Sequence, residues 1–293
     1  MDIHCVVDSH SKTGEGAVWD EQDGLLYWVD IPDGLVHRYD PRTGTNRTTS
    51  AGEPVGCLAV RRQGGLVLAT KSGFHLFDAD TGERTPICDP EADRPHNRFN
   101  DGATDGQGRF WAGTMKNSGP PEPAGRFYRL DGDFHCMPWK DGIFTTNGLT
   151  FSPDGRTMYH SDSNPHVRTI WACDYDIDDG MPSNERVFFD TRVVAGRPDG
   201  GTVDADGCYW MAGVGGWQLV RITPDGAIDR IVEMPIERPT KPMFGGADMK
   251  TLFVTSIGQN LSAGSESRQP QAGGLFAIEG LGVQGFPQTR FAG

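Results

Sequence analysis

One pattern recurs six times along the chain, and it limits the fold more than any other feature. A short apolar run meets a tight turn of Asp-Gly or paired-glycine type, then an aromatic or β-branched run, then another apolar run. The first copy reads Gly16-Ala17-Val18-Trp19, Asp23-Gly24, Leu25-Leu26-Tyr27-Trp28-Val29-Asp30 and Leu35-Val36-His37-Arg38-Tyr39-Asp40. Later copies begin at Cys57, at Asp101-Gly102, at Gly148-Leu149 and at Gly201-Thr202, and a weaker one at Gly246-Ala247-Asp248. Each holds at least three short runs of strand-forming residues separated by hairpin chemistry. Helical spacing of apolar residues is nearly absent. The period of roughly 40 to 50 residues is that of a four-stranded propeller blade. The copies fill the chain, so the expected architecture is all-β: a single six-bladed β-propeller domain over residues 1–293. A sandwich with repeated turns would not place those turns alike in six copies. The apolar run at Cys5-Val6-Val7 is expected to pair with the last blade and close the ring, leaving no open edge.

Composition removes several function classes. A formal net charge of -13 leaves nothing to neutralise phosphates along a strand, so a nucleic-acid partner is not expected. No stretch reaches the roughly 18 apolar residues of a membrane span. The start Met1-Asp2-Ile3-His4 carries an early acid and no basic, then apolar, leader, so a cytoplasmic protein is expected. Six cysteines without a C-x-x-C pair read as reduced, mostly buried thiols and not as a disulfide framework or structural zinc.

The position of certain acids and amides within the repeat suggests chemistry. In a propeller the first strand of each blade lines a central channel, so equivalent positions converge on the axis. Aligning the copies on their glycines places Glu15, Val55, Asp101 (with Asn100 beside it), Asn147, Asp199 and Phe244 or Gly245 around one ring. Four of the six offer oxygen. Acids facing each other across a channel repel unless a cation lies between them. Hard oxygen donors suit one divalent ion, with Ca²⁺ the leading expectation and Mg²⁺, Mn²⁺, Fe²⁺ or Zn²⁺ as alternatives. Arg98 stands at the mouth, able to hold a polar or anionic substrate through a forked hydrogen bond. The Pro-rich stretch Lys116-Asn117-Ser118-Gly119-Pro120-Pro121-Glu122-Pro123 is read as a loop able to cover the channel. Asp23-Gly24, Asp154-Gly155 and Asp206-Gly207 are plain hairpin turns. His96, His160 and His166 have no visible partner and are read as surface or structural residues.

These motifs together resemble one known family. Gly14-Glu15-Gly16, Arg98-Phe99-Asn100-Asp101-Gly102, Phe110-Trp111-Ala112-Gly113-Thr114-Met115, Thr146-Asn147-Gly148-Leu149, Arg197-Pro198-Asp199-Gly200 and Lys241-Pro242 with Phe244-Gly245-Gly246 are similar to the gluconolactonase/regucalcin (senescence marker protein) family. The resemblance runs from about Glu15 to Phe276. It implies a six-bladed propeller that hydrolyses a sugar-acid lactone with a divalent metal in the channel. By position it implies Glu15, Asn147 and Asp199 as metal ligands, Arg98 and Asn100 as substrate contacts, and Asp199 as general base. Spacing alone does not rank Asn100 over Asp101. One departure is visible. Animal members carry an acidic pair soon after the Gly-Thr-Met run, whereas here Met115 is followed by Lys116-Asn117-Ser118. A positive charge there shifts the expectation from a glucono- or pentonolactone toward an aldaric acid lactone.

The expected partner is therefore a small sugar lactone, and the expected assembly a monomer or small homo-oligomer. Two rival functions use the same architecture: a propeller hydrolase acting on phosphotriesters, and a non-catalytic calcium- or sugar-binding propeller.

Overall fold

The computed structural model describes all of residues 1–293. Six four-stranded antiparallel sheets follow one another as blades. Blade 1 holds Gly14–Asp20, Leu25–Asp30, Leu35–Asp40 and Thr45–Ser50, and blades 2 to 5 repeat that order from Val55, Asn97, Thr146 and Arg197. Blade 6 takes Pro239–Gly245, Thr251–Ser256 and Leu275–Glu279 from the end of the chain and its outer strand, Asp2–Val7, from the start. That strand pairs Asp2 with Glu279 and Cys5 with Phe276, so the ring is closed by the two ends of the chain as the sequence predicts. Helix is confined to two single 3₁₀ turns, Thr191–Val193 and Glu266–Arg268.

The first strands of the blades touch their neighbours in an unbroken circle and are almost wholly buried. The second strands carry the bulk that fills the space between sheets. Trp28, Trp111 and Trp210 occupy that position in blades 1, 3 and 5, and all three are fully buried. Removing one such side chain costs about 3–5 kcal/mol, because the cavity left behind does not collapse. Outer strands such as Thr45–Ser50 and Ile228–Glu233 are largely exposed, the first of them wholly polar.

The two ends of the channel differ. The hairpin turns between first and second strands lie at one end, and the C-terminal segment runs across it. Arg290 forks onto Asp20 at 2.7–2.9 Å, Phe291 N–H donates to Val60 at 2.8 Å, and Ala205 N–H donates to Gln284 at 2.8 Å. The first strands begin at the other end, and there the channel carries its polar side chains. The Pro-rich loop after Lys116 joins second to third strand in blade 3, so topology puts it at this same end.

Candidate functional site

All six first strands break register at the same level. The shifts fall between Glu15 and Val18, Val55 and Cys57, Phe99 and Gly102, Asn147 and Thr150, Pro198 and Gly201, and Pro239 and Pro242. A bulge re-aims the side chains around it and interrupts the strand's alternation. Here it turns a polar residue from nearly every blade toward the axis. Gly16 and Gly148 take φ of +60° and +64°, a backbone that favours glycine, immediately after Glu15 and Asn147.

The polar residues at this level divide into two settings. Asp101 is fully satisfied. Its Oδ1 accepts from Gly102 N–H at 2.9 Å and from Lys241 Nζ at 2.8 Å, and its Oδ2 accepts from Leu149 N–H at 2.9 Å. Glu15 and Asp199 have no such partners. Glu15 accepts only from the Gly16 N–H, at 2.8 Å, and the Asp199 carboxyl is near enough for its charge to act on Glu15. Neither makes an ion pair. Burial, followed by the negative charges of Asp199 and Asp101, raises the Glu15 carboxyl well above the usual range. Burial and then Asp101 push Asp199 up to about 7, partly offset by the Glu15 hydrogen bond. Two buried oxygen groups held together without a cation of their own match the donor chemistry of a hard divalent ion.

A hydrogen-bonded string runs beside this pair. Arg98, half-buried at the mouth, donates from Nη1 to Asn100 Oδ1 at 2.7 Å and to the Phe99 carbonyl at 2.8 Å, and from Nε to Asn117 Oδ1 at 3.0 Å. Asn100 Nδ2 donates to the Thr146 carbonyl at 2.8 Å and to Asn147 Oδ1 at 3.2 Å. Asn147 Nδ2 in turn donates to Ser163 Oγ at 2.7 Å, and that hydroxyl donates to the Pro198 carbonyl. Each amide is thereby fixed in one orientation, with Asn147 Oδ1 on the side of Asn100. Burial lowers the Arg98 guanidinium to about 10, the opposing pull coming from Glu15 and Asp199, and it stays charged at neutral pH.

The structure thus brings Glu15, Arg98, Asn100, Asn147 and Asp199 to one end of the channel. It corrects the sequence reading at the sixth position. Phe244 packs against Trp210, with ring centroids 5.9 Å apart, and Gly245 lies against the Trp19 side chain. Lys241 is the channel residue of blade 6, buried beside Asp101. The glycine alignment fails there because Gly245 and Gly246 belong to the end of the strand and its turn. Counting back from the turn would have found the lysine: Lys241 stands as far ahead of Asp248 as Asn147 does ahead of Asp154 and Asp199 ahead of Asp206. Sequence reasoning also missed Asn117 and Ser163, which carried no repeat signal. Lys116, expected over the substrate, pairs with Glu122 at 2.7 Å and lines a neighbouring cleft with Arg94 and His96. His96 and His166 are exposed, while His160 is buried away from the channel between aromatic rings. All six cysteines are free, three of them buried.

Comparison with known proteins places the fold in a family. Residues 13–258 match the family model of the SMP-30/gluconolactonase/LRE-like region. The chain belongs to that family. A 6-deoxy-6-sulfogluconolactonase of Pseudomonas putida is 38% identical to it over 99% of both chains, and a regucalcin of Xenopus laevis is 38% identical over 99% of this chain and 98% of its own. Among solved structures, a calcium-binding protein, regucalcin, from Agrobacterium tumefaciens superposes with a TM-score of 0.91 at 28% identity, covering 98% of this chain and 96% of its own. The likeness runs over nearly the full length of both chains, and the closed six-bladed ring described above is that of an SMP-30/gluconolactonase-like protein.

Proposed function

We propose that this chain hydrolyses a sugar-acid lactone using one divalent cation held by Glu15, Asn147 and Asp199 at the open end of the channel. Its coarse class follows from the family and from the named lactonase that matches it end to end: the chain is a hydrolase of the lactonase type, acting on sugar lactones. The observation that carries the finer reading is the Glu15–Asp199 pair, two buried carboxyls close enough for Asp199 to raise the affinity of Glu15 for its proton, with no basic side chain hydrogen-bonded to either. The third donor, Asn147 Oδ1, is held in orientation by Asn100 and by Ser163. Calcium suits such a set of carboxylate and amide oxygens, and so do magnesium and manganese.

When bound, the cation supplies Lewis-acid polarisation of the lactone carbonyl and stabilises negative charge on its oxygen. The chain's own groups do the rest. Asp199 keeps one oxygen for the attacking water and takes its proton as the new C–O bond forms. The ring C–O bond breaks, and its oxygen takes the proton held by Asp199 and leaves as the alcohol of the open-chain acid. Asn100, with its oxygen committed to Arg98 and its nitrogen to Thr146 and Asn147, acts by aligning those neighbours and the substrate hydroxyls. Arg98 is the basic group at the mouth and is assigned to an anionic or polar substituent of the lactone. With Lys116 engaged by Glu122, the preference for a diacid or sulfo-substituted lactone rests on Arg98 instead.

A pH-stat panel of glucono-, pentono-, aldaro- and 6-deoxy-6-sulfogluconolactones, run on chelated and metal-restored protein, tests this. Hydrolysis should vanish on chelation and return with Ca²⁺ or Mn²⁺, and the anionic lactones should turn over fastest. Full activity after chelation would remove the metal assignment, and a preference for neutral lactones would remove the role given to Arg98. A phosphotriester included in the panel should be left intact.

A further inference from the structure

Blade 4 carries a nitrogen, a sulfur and a carboxylate that the channel chemistry does not use. His160, Cys173 and Glu185 come from its second, third and fourth strands, and one ligand atom from each lies within 4.8 Å of the others. The sheet explains the meeting. His160 is in register with Trp171, and Cys173 with Met158, so imidazole and thiol sit diagonally on one face. The fourth strand slips register between the partners of Ala172 and Asp174, which brings Glu185 beside Cys173.

The cluster borders a cleft of about 420 Å³ between blades 3 and 4, lined by Trp139, Lys140 and Asp141 on one side and Cys173, Asn184 and Glu185 on the other. His160 is fully buried. Its Nε2 lies 2.9 Å from Glu185 Oε2, whereas its Nδ1 has no hydrogen-bond partner at all. A buried polar nitrogen without a partner costs about 1–3 kcal/mol, so this imidazole is under-satisfied by the protein alone. Lys140 Nζ sits 2.5 Å from both Glu185 oxygens and acts as their counter-ion. Its side chain is partly exposed and can swing into solvent.

We propose that His160, Cys173 and Glu185 form a second, peripheral site for a thiophilic divalent cation such as Zn²⁺, with water from the cleft completing the coordination. Imidazole nitrogen, thiolate and carboxylate are the donor set for such an ion, in contrast to the all-oxygen set of the channel. On binding, the Cys173 thiol proton passes to solvent, the imidazole proton moves from Nε2 to the unpartnered Nδ1 so that Nε2 is free to ligate, and Lys140 leaves Glu185. Thiolate and carboxylate then balance the two charges of the cation. The site is structural in placement: it would tie three strands of blade 4 together at the seam with blade 3.

Cobalt(II) distinguishes the two centres by spectroscopy. Chelator-stripped protein titrated with Co²⁺ should develop the near-ultraviolet thiolate-to-cobalt charge-transfer band with one equivalent, and Zn²⁺ should bleach it. Cys173→Ser and His160→Asn should abolish the band. Lactone hydrolysis by the Cys173→Ser protein should stay within about twofold of the parent, since this residue lies outside the channel. Lys140→Gln, which removes the competing ammonium and leaves every donor in place, should tighten Co²⁺ binding several-fold. A folded parent that shows no thiolate band, or a band that survives in Cys173→Ser, would overturn the site. So would Lys140→Gln protein with unchanged or weaker affinity.

Discussion

Two carboxylate settings share one channel, and their difference locates the chemistry. Asp101 has a buried lysine and two backbone N–H groups aimed at it. Glu15 and Asp199, at the same level of the ring, have one N–H and each other. In the sequence all three are carboxylates set beside a glycine at the register break of a first strand. What separates them is whether the fold supplies a counter-charge. A paired, hydrogen-bonded aspartate is part of the frame, and its removal strands a lysine in a dry interior. A pair of acids left to face each other is costly to the empty protein and useful only with a cation between them. The two settings therefore make opposite predictions for the same kind of substitution.

The largest effect should come from Asp199→Ala. With a ligand and the proton acceptor both gone, kcat/KM for the lactone should fall by about 10⁴-fold, or about 5 kcal/mol of barrier. The chelated protein should meanwhile melt no lower than its parent, because one of two repelling acids has been removed. Steady-state assays and thermal melts on the same preparation check both halves. An active Asp199→Ala protein would end the assignment.

Next in size is Lys241→Met. Leaving Asp101 buried without its ammonium should destabilise the protein by about 3–5 kcal/mol, whether or not metal is present. Adding Asp101→Asn to it should restore much of that loss, since a neutral amide no longer needs the lysine. Denaturant titration of the two single variants and the double closes the cycle. Additive losses would mean that the two residues do not act as a pair.

How far the sequence reveals this division is instructive. The six blades and the ring closure are legible because hairpin dipeptides and aromatic second strands recur at a fixed spacing. The outer strands are less so: Thr45–Ser50 and Ile228–Glu233 face water on an exposed edge, and their residues carry little alternation. Glu15, Asn147 and Asp199 stand out because they precede or adjoin a channel glycine. Asp101 stands out for the same reason, and nothing local says that it is already neutralised. That information lies in Lys241, far along the chain, at a position the glycines of blade 6 misplace. Pairing across the ring is a property of the bulges, and bulges leave no mark in the pattern of apolar residues.

Protons should report the same contrast. In chelated protein Asp199 is raised to about 7, above the roughly 3.9 of an unfolded aspartate, and Glu15 is raised in the same direction. Between those values the folded state holds more protons than the unfolded one, so this contribution to stability is present at low pH and is lost as pH rises toward 7. The expected loss is about 2–4 kcal/mol in the metal-free protein. Saturating metal, which favours the ionised pair, should flatten or reverse the trend. Melting temperatures of chelated parent and Asp199→Asn across pH 5 to 8 isolate the effect, and identical slopes in the two proteins would contradict it.

The smallest effect tests the string beside the pair. Arg98 reaches Asn100, the Phe99 carbonyl and Asn117 with one planar fork. Lysine keeps the charge but offers a single ammonium on a flexible stem, so it cannot hold both amides at once. If Arg98 mainly binds the anionic end of the lactone, Arg98→Lys should raise KM by about tenfold, near 1.4 kcal/mol, with kcat little changed. If instead its main work is to hold Asn100 against Asn147, and through it a metal donor, kcat and metal affinity should fall together while KM stays near the parent value. The ratio of those changes, measured on an anionic and a neutral lactone side by side, decides whether the guanidinium belongs to the substrate or to the unpaired carboxyls behind it.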